Sequence, residues 1–268
     1  MLYLNRDLAR RLEEGLQSGN RETAKAWNAL SSESAVRVLE VGDGLAIYGG
    51  AGCPVNEAVG LGMSSAVDET ALLEIERFYA AHGHRSVIRV CSLAHPTLFD
   101  VIRKRGYVLG NFAYRFVLEL PSWRSPFDKA DVRVRKATGD EELAWARTVF
   151  MGFADDDRVP EDREIELERS FFRMAGVVPM IAVEGGQPAA GGAVAIGDEV
   201  AALFAASTLR SYRRRGLQTA LLDGRLRLAK ARGASIATVE TDPGSDSQRN
   251  VERMGFRLAY AAVQMTRP

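Results

Sequence analysis

The chain has 268 residues, 46% of them hydrophobic and 26% charged, and its 35 basic and 35 acidic side chains cancel to a formal net charge of zero. That balance fits a globular protein of two ordinary domains, because single cores stop growing efficiently well before this length, and it gives no electrostatic footing for nucleic acid or an anionic membrane. No stretch approaches the ~18 apolar residues that span a bilayer, no basic segment leads an apolar run at the start, and neither Cys53 and Cys91 nor His82, His84 and His95 show metal-ligand spacing; the expectation is a cytoplasmic protein without membrane anchor, disulfide or metal.

In chain order, apolar spacing predicts helices at 6–15 and 21–30, strands at 36–41, 44–48 and 57–63, and a helix at 68–82. Pro121 to Asp131, with two prolines and several turn formers, interrupts the pattern and predicts a boundary between domains 1–122 and 131–268. Beyond it Val132–Lys136 alternates as a strand, Thr138–Glu141 forms a capping-type start for a helix at 140–153, and 161–175 reads as a second helix. Three apolar runs, Val178–Val183, Ala189–Ile196 and Val200–Ser207, are parted by turn residues and read as an antiparallel meander. A helix at 214–232 and a strand at 235–240 then form a crossover, and a short helix at 245–254 with strands at 256–260 and 262–266 closes the chain.

The halves match each other at a fixed offset of 149 residues: Thr70-Ala-Leu-Leu73 falls on Thr219-Ala-Leu-Leu222, Ser86–Val90 on Ser235–Val239, and Gly106-Tyr107 on Gly255-Phe256. Three matches in one register indicate a diverged tandem duplication.

The segment richest in chemistry is Arg213-Arg-Arg-Gly-Leu-Gln-Thr219, where an apolar strand enters a turn that opens a helix. The first N–H groups of a helix lack intrahelical partners and carry the positive end of its dipole, and Gly216 removes a side chain that would keep a phosphate away. Three consecutive arginines at such a position oppose the dipole unless an anion satisfies them. The turn lacks the leading Gly and the Lys-Ser or Lys-Thr ending of a P-loop, which excludes that motif.

The turn and the order of elements together resemble the GNAT superfamily of acyl-CoA-dependent N-acyltransferases, whose pyrophosphate motif is R/Q-x-x-G-x-G/A; here the sixth place holds Gln218. The resemblance implies an α/β (α+β) fold class with two tandem GNAT-like domains, each a mixed, mostly antiparallel sheet flanked by helices. It also implies acetyl-CoA as co-substrate and an amine acceptor attacked directly in a ternary complex by a monomer or homodimer. On this reading the backbone of Ser207, Thr208 and Leu209 pairs with pantetheine, Arg213, Arg214, Arg215, Gly216, Leu217, Gln218 and Thr219 hold the pyrophosphate, and Asn250 faces the thioester arm. Glu199 is the first candidate base and Glu240 the second. The family's Tyr acid falls on Val251, leaving Ser247, Asn250 or Tyr260 as substitutes, or a thiolate that leaves unaided. A non-catalytic protein that binds or senses acyl-CoA, or an interaction protein, is the alternative.

At the same offset the first half reads Ser64-Ser-Ala-Val-Asp-Glu69, with a bulky Val67 and two carboxylates, and is expected to keep the fold without binding CoA. Asp155 to Asp157 offer an acidic loop to a cationic amine, although such runs are usually just solvated.

Overall fold

The computed structural model describes residues 3–30, 36–155, 158–197 and 199–268. The two helices expected at the start form one, α1 (Arg6–Leu30). Leu8, Ala9, Leu12, Asn20, Thr23 and Ala24 make a buried stripe at helical spacing. That stripe outweighs the ~1 kcal/mol that Gly15 and Gly19 each cost inside a helix. Strands β1 (Arg37–Val41) and β2 (Gly44–Tyr48) form a tight hairpin, and β3 (Ala58–Val59) follows. Helix α2 (Glu69–Ala80) is capped by Asp68, whose side chain accepts the Ala71 N–H at 3.0 Å. Strand β4 (Val87–Cys91), helix α3 (Pro96–Lys104) and the long β5 (Val108–Glu119) complete the first half.

The second half opens with β6 (Val134–Lys136). Glu141 accepts the Thr138 N–H at 2.9 Å in the expected capping box, and one 3-10 turn later α4 (Glu142–Ala154) begins. The second predicted helix splits into a 3-10 turn, Asp162–Ile165, and α5 (Glu166–Arg173). The meander is present as β7 (Val177–Glu184), β8 (Gln187–Ile196) and β9 (Val200–Thr208). Helix α6 (Leu217–Ala231) starts three residues later than predicted, because Arg213 is extended and Arg214 and Gly216 are left-handed, with φ of 62° and 77°. Strand β10 (Ile236–Thr241), α7 (Asp246–Arg253) and a single final strand, β11 (Arg257–Thr266), follow.

The chain forms two compact units, and their make-up departs from a single cut at the 121–131 linker. The first contains residues up to Arg115 with 241–243 and 258–268; the second contains 116–240 and 244–257. In the first unit the sheet order is β1-β2-β3-β4-β11-β5, and the final strand runs antiparallel to β4 with Ala262 opposite Cys91 and Thr266 opposite Val87. In the second the order is β5-β10-β9-β8-β7-β6. There the Leu120 N–H donates to the Ser235 carbonyl at 2.9 Å and the Thr238 hydroxyl to that of Phe116 at 3.0 Å. Each unit is thus completed by strand residues from the other half of the sequence, an exchange that local pattern does not encode.

Two features of the second unit position its site. Gly191 lies where a Cβ would come within 2.6 Å of Val149 and 3.2 Å of the Trp145 indole nitrogen, so its hydrogen lets α4 sit close on β8. Gly152 plays the same part on α4, where a Cβ would come within 2.4 Å of the Ser207 hydroxyl. One face of the sheet then buries Trp145, Val149, Ile165, Ile181 and Ala193 with Phe171, Phe172 and Phe204 packed around them. The other face buries Met180, Ala182, Ala190, Leu217 and Leu221 under α6.

Candidate active site

Strand β9 pairs with two neighbours, but not along its whole length. Its parallel ladder with β10 runs only from Val200↔Ile236 to Leu203↔Val239, while its antiparallel ladder with β8 continues to Thr208↔Ala190. The break coincides with a bulge: Ala193 pairs with Phe204 and Gly191 with Ser207, so Ala205 and Ala206 together face Gly192. Ala205 takes the left-handed φ of 50°. A bulge of this kind bends its strand and sharpens the twist. The result is a fork whose open edge belongs to the last residues of β9.

The fork is held from beneath by Arg225 of α6, which is 2% exposed. Its guanidinium donates to the carbonyls of Leu221, Ala193 and Phe204 at 3.2, 3.3 and 3.4 Å, and Gly192 leaves it room. Complete burial pushes its pKa down to about 10. Sequence spacing singled out neither Arg225 nor Ala205.

At the tip of the fork stands the arginine turn. No N–H from Arg214 to Thr219 finds an acceptor among the described residues; the first helical bond of α6 is made by Ala220, to Gly216 at 2.9 Å. Six consecutive donors at the positive end of a 15-residue helix form a ready anion cradle.

The three arginines have different roles. Arg213 is engaged internally, donating to the Thr208 and Gly152 carbonyls at 3.3 and 3.1 Å and pairing with Asp155 at 2.7 Å. Arg215 pairs with Glu184 at 3.2 Å and lies over the Tyr212 ring. Only Arg214 is exposed without a partner among the described residues. Leu217 is buried in the core and can offer only its N–H. Thr219 follows one turn into the helix, half-buried. Gln218 turns away from the cradle, accepting the Thr208 hydroxyl at 3.2 Å and reaching the Ala206 carbonyl at 3.5 Å, so the departure at the sixth motif position braces the fork.

The strand edge differs in detail from the expectation. The Leu209 N–H donates to Ala189 at 3.0 Å, so it faces β8, and Ser207 spends its hydroxyl on the Val149 carbonyl at 2.8 Å. Alternation along an antiparallel ladder then turns Thr208 and Ala206 to the open edge. On α7, Ser247 is exposed and Asn250, one turn later, is half-buried; neither side chain has a partner among the described residues. Val251 is 3% exposed, so core occupies the place where an acid was sought.

Glu199 is exposed just before β9 begins, nine residues from Thr208 and therefore about 30 Å along the strand from the cradle. Glu240 follows Val239, the last β10 residue paired with β9, and so stands where the two strands part. Tyr260 belongs to the first unit, where its buried hydroxyl donates to Glu13 at 2.6 Å, which removes it from this site. Asp155 pairs with Arg213, and Asp156 and Asp157 lie outside the described residues.

The first unit has a corresponding loop before α2, and several of its donors are already engaged. The Asp43 carboxylate, from the β1–β2 turn, accepts the N–H groups of Gly62 at 2.8 Å, Ser64, and Ser65 at 3.4 Å. The Val67 N–H donates to the Thr97 hydroxyl at 2.8 Å, and Asp68 caps α2. A cavity of about 300 Å³ beside this loop is lined by Asp43, Asp68 and Glu74 without any basic residue.

Residues 141–256 match the acetyltransferase (GNAT) family. A comparison with curated protein sequences found no match. Among solved structures the chain is similar to a GCN5-related N-acetyltransferase from Kribbella flavida, with a TM-score of 0.67, 22% identity, and coverage of 87% of this chain and 90% of that one. A tandem GNAT protein from the clavulanic acid biosynthesis pathway gives a TM-score of 0.58 at 15% identity over 74% of this chain and 68% of that one. A GNAT-family putative acetyltransferase from Novosphingobium aromaticivorans gives 0.54 at 14% identity over 86% and 91%. The matched segment runs from α4 to α7 and contains both the fork and the cradle, and the solved structures share the fold of the chain.

Proposed function

We propose that the second unit binds acetyl-CoA and transfers its acetyl group to a primary amine of a small molecule or protein, by direct attack in a ternary complex. The observation that carries this reading is the union of fork and cradle: six unsatisfied N–H groups at the start of α6 lie beside a strand edge that has left its neighbour. Arg214 and the N–H groups up to Thr219 would hold the pyrophosphate. The open edge at Thr208 and Ala206 would accept the pantetheine amides as an added strand, and Ser247 and Asn250 would border the arm. Arg213 and Arg215 would shape the turn through their internal pairs. The first unit would keep the fold without the co-substrate, because the Asp43 carboxylate already stands at the N–H groups of Gly62, Ser64 and Ser65 and the loop adds Asp68 and Glu69 without an arginine. A cytoplasmic location accords with this chemistry.

Val251 supports a second reading, an acyl-CoA sensor without turnover, since no acid stands at that place. Titration calorimetry with acetyl-CoA tests the common premise: one micromolar site per chain, lost in Gly216→Val, is expected, and no binding by wild type overturns both readings. Steady release of free CoA in the presence of an amine separates enzyme from sensor.

A further inference from the structure

We propose that the carboxylate of Glu168 is the general base of the second unit, accepting the proton of the incoming ammonium; the assignment rests on the acetyl-transfer reading above. Glu168 lies in the middle of α5 and is 6% exposed, and its Oε2 is buried without a hydrogen-bond partner among the described residues. A buried carboxylate oxygen without a donor is costly to keep unless something else meets it. Helical spacing puts Glu168 on one face with Ile165, Phe171 and Phe172. Phe172 packs edge-on against Trp145 at 5.6 Å, and Phe171 packs edge-on against Phe204 at 5.2 Å. Phe204 is the first β9 residue beyond its ladder with β10 and directly precedes the left-handed Ala205. Glu168 therefore lies one turn, about 5 Å along the axis of α5, from Phe171, the residue that touches the fork.

Among the described residues, the charged groups of the elements around it are engaged elsewhere. Helix α4 brings Glu142, held by Arg169 and Arg173 of α5, and Arg147, held by Asp162. The 3-10 turn before α5 brings Arg163 and Glu164, engaged with Glu161 and Arg158. Strand β7 brings Glu184, at its far end on Arg133 and Arg215, and β9 has no ionisable side chain. Burial is the largest cause acting on Glu168, and it raises the pKa to about 7, where a base is matched to neutral pH.

The step balances as follows. The ammonium gives one proton to the Glu168 carboxylate, and the freed nitrogen lone pair attacks the thioester carbonyl. The C–N bond forms, the C–S bond breaks, and the departing CoA sulfur takes a second proton from the same nitrogen. Glu168 then returns its proton to solvent.

The test compares wild type, Glu168→Gln and Glu168→Asp by acetyl-CoA calorimetry, thermal melting, and CoA thiol release from pH 5.5 to 9. Two probe nucleophiles are used: phenethylamine, which arrives protonated, and hydroxylamine, which is largely neutral at pH 7 and needs no base. We expect acetyl-CoA affinity within twofold for all three and a folded Gln variant. With phenethylamine, Glu168→Gln should lose about 100-fold in kcat together with the acidic limb of the pH profile, and Asp should restore part of both. With hydroxylamine, the Gln variant should keep its rate within a few-fold. Retention of the phenethylamine rate and its acidic limb by the Gln variant overturns the proposal, as does an equal loss with both nucleophiles. Wild type that binds acetyl-CoA but turns over neither also overturns it. Failure of wild type to bind acetyl-CoA instead overturns the acetyl-transfer reading.

Discussion

The loop before α2 and the turn before α6 stand at corresponding places in the two units, and they treat their backbone donors differently. In the first unit Asp43 reaches from the neighbouring hairpin to Gly62, Ser64 and Ser65, and Thr97 takes the N–H of Val67. In the second unit the acidic residue beside the corresponding hairpin, Glu184, binds the side chains of Arg133 and Arg215 and leaves the backbone from Arg214 to Thr219 open. On the proposed reading, a helix N-terminus serves as an anion site where nothing within the fold has answered its donors, and one internal carboxylate is enough to oppose an anion without disturbing the helix behind it.

Four experiments break or sharpen that contrast. The largest effect is expected from Gly216→Val, which places the first unit's residue in the second unit's turn at a φ of 77° that a β-branched residue tolerates poorly. Acetyl-CoA affinity measured by calorimetry should fall by at least about 100-fold, or roughly 3 kcal/mol.

A comparable effect, on stability rather than binding, should come from Glu168. Its pKa is raised to about 7 in the folded chain from an ordinary 4.5 when unfolded. The stability it contributes is therefore fully present below about pH 4.5 and lost as pH rises through 7, by up to about 3 kcal/mol. Denaturant unfolding of wild type against Glu168→Gln at pH 5 and pH 8 should show the variant gaining relative stability at the higher pH.

Arg214→Ala should weaken acetyl-CoA about tenfold, the scale of one charge-assisted hydrogen bond, with an unchanged melting temperature. Arg213→Ala should instead lower the melting temperature, since Arg213 ties Gly152, Asp155 and Thr208 together. Equal binding losses without any change in melting would contradict this division.

The smallest effect is expected for Asp43→Ala. Removing the carboxylate should destabilise the first unit by about 1–2 kcal/mol, because it strands N–H groups that it now satisfies. Inorganic pyrophosphate should restore part of the lost melting temperature, and no such rescue would mean that the loop is not a silenced anion site.

Much of the fold was legible in the sequence because its signals are local. The meander β7–β9, the capping box at Thr138, the crossover through α6 and the short α7 all follow from side-chain period and turn chemistry, and all appear within a few residues of expectation. The continuity of α1 was less legible, because apolar spacing predicted two helices that the buried stripe joins into one. Within the site, the motif located the cradle but not the separate fates of its side chains. Three adjacent arginines read alike, yet only Arg214 lacks an internal partner among the described residues. Ala205, Ala206, Glu168 and Arg225 gave no sequence signal, since an alanine in a bulge and a charge on a helix look ordinary until their neighbours are known.

By itself, then, the sequence determined the order of elements, the arginine and glycine content of the turn before α6 and its replacement by Val67, Asp68 and Glu69 before α2, because each depends on residues adjacent along the chain. Only the tertiary structure decided which strands complete each unit, where β9 leaves β10, which arginine remains free, and that Asp43 answers the donors of the first unit. Those outcomes depend on contacts between residues far apart in sequence, where burial and hydrogen-bond satisfaction, rather than local preference, set the result.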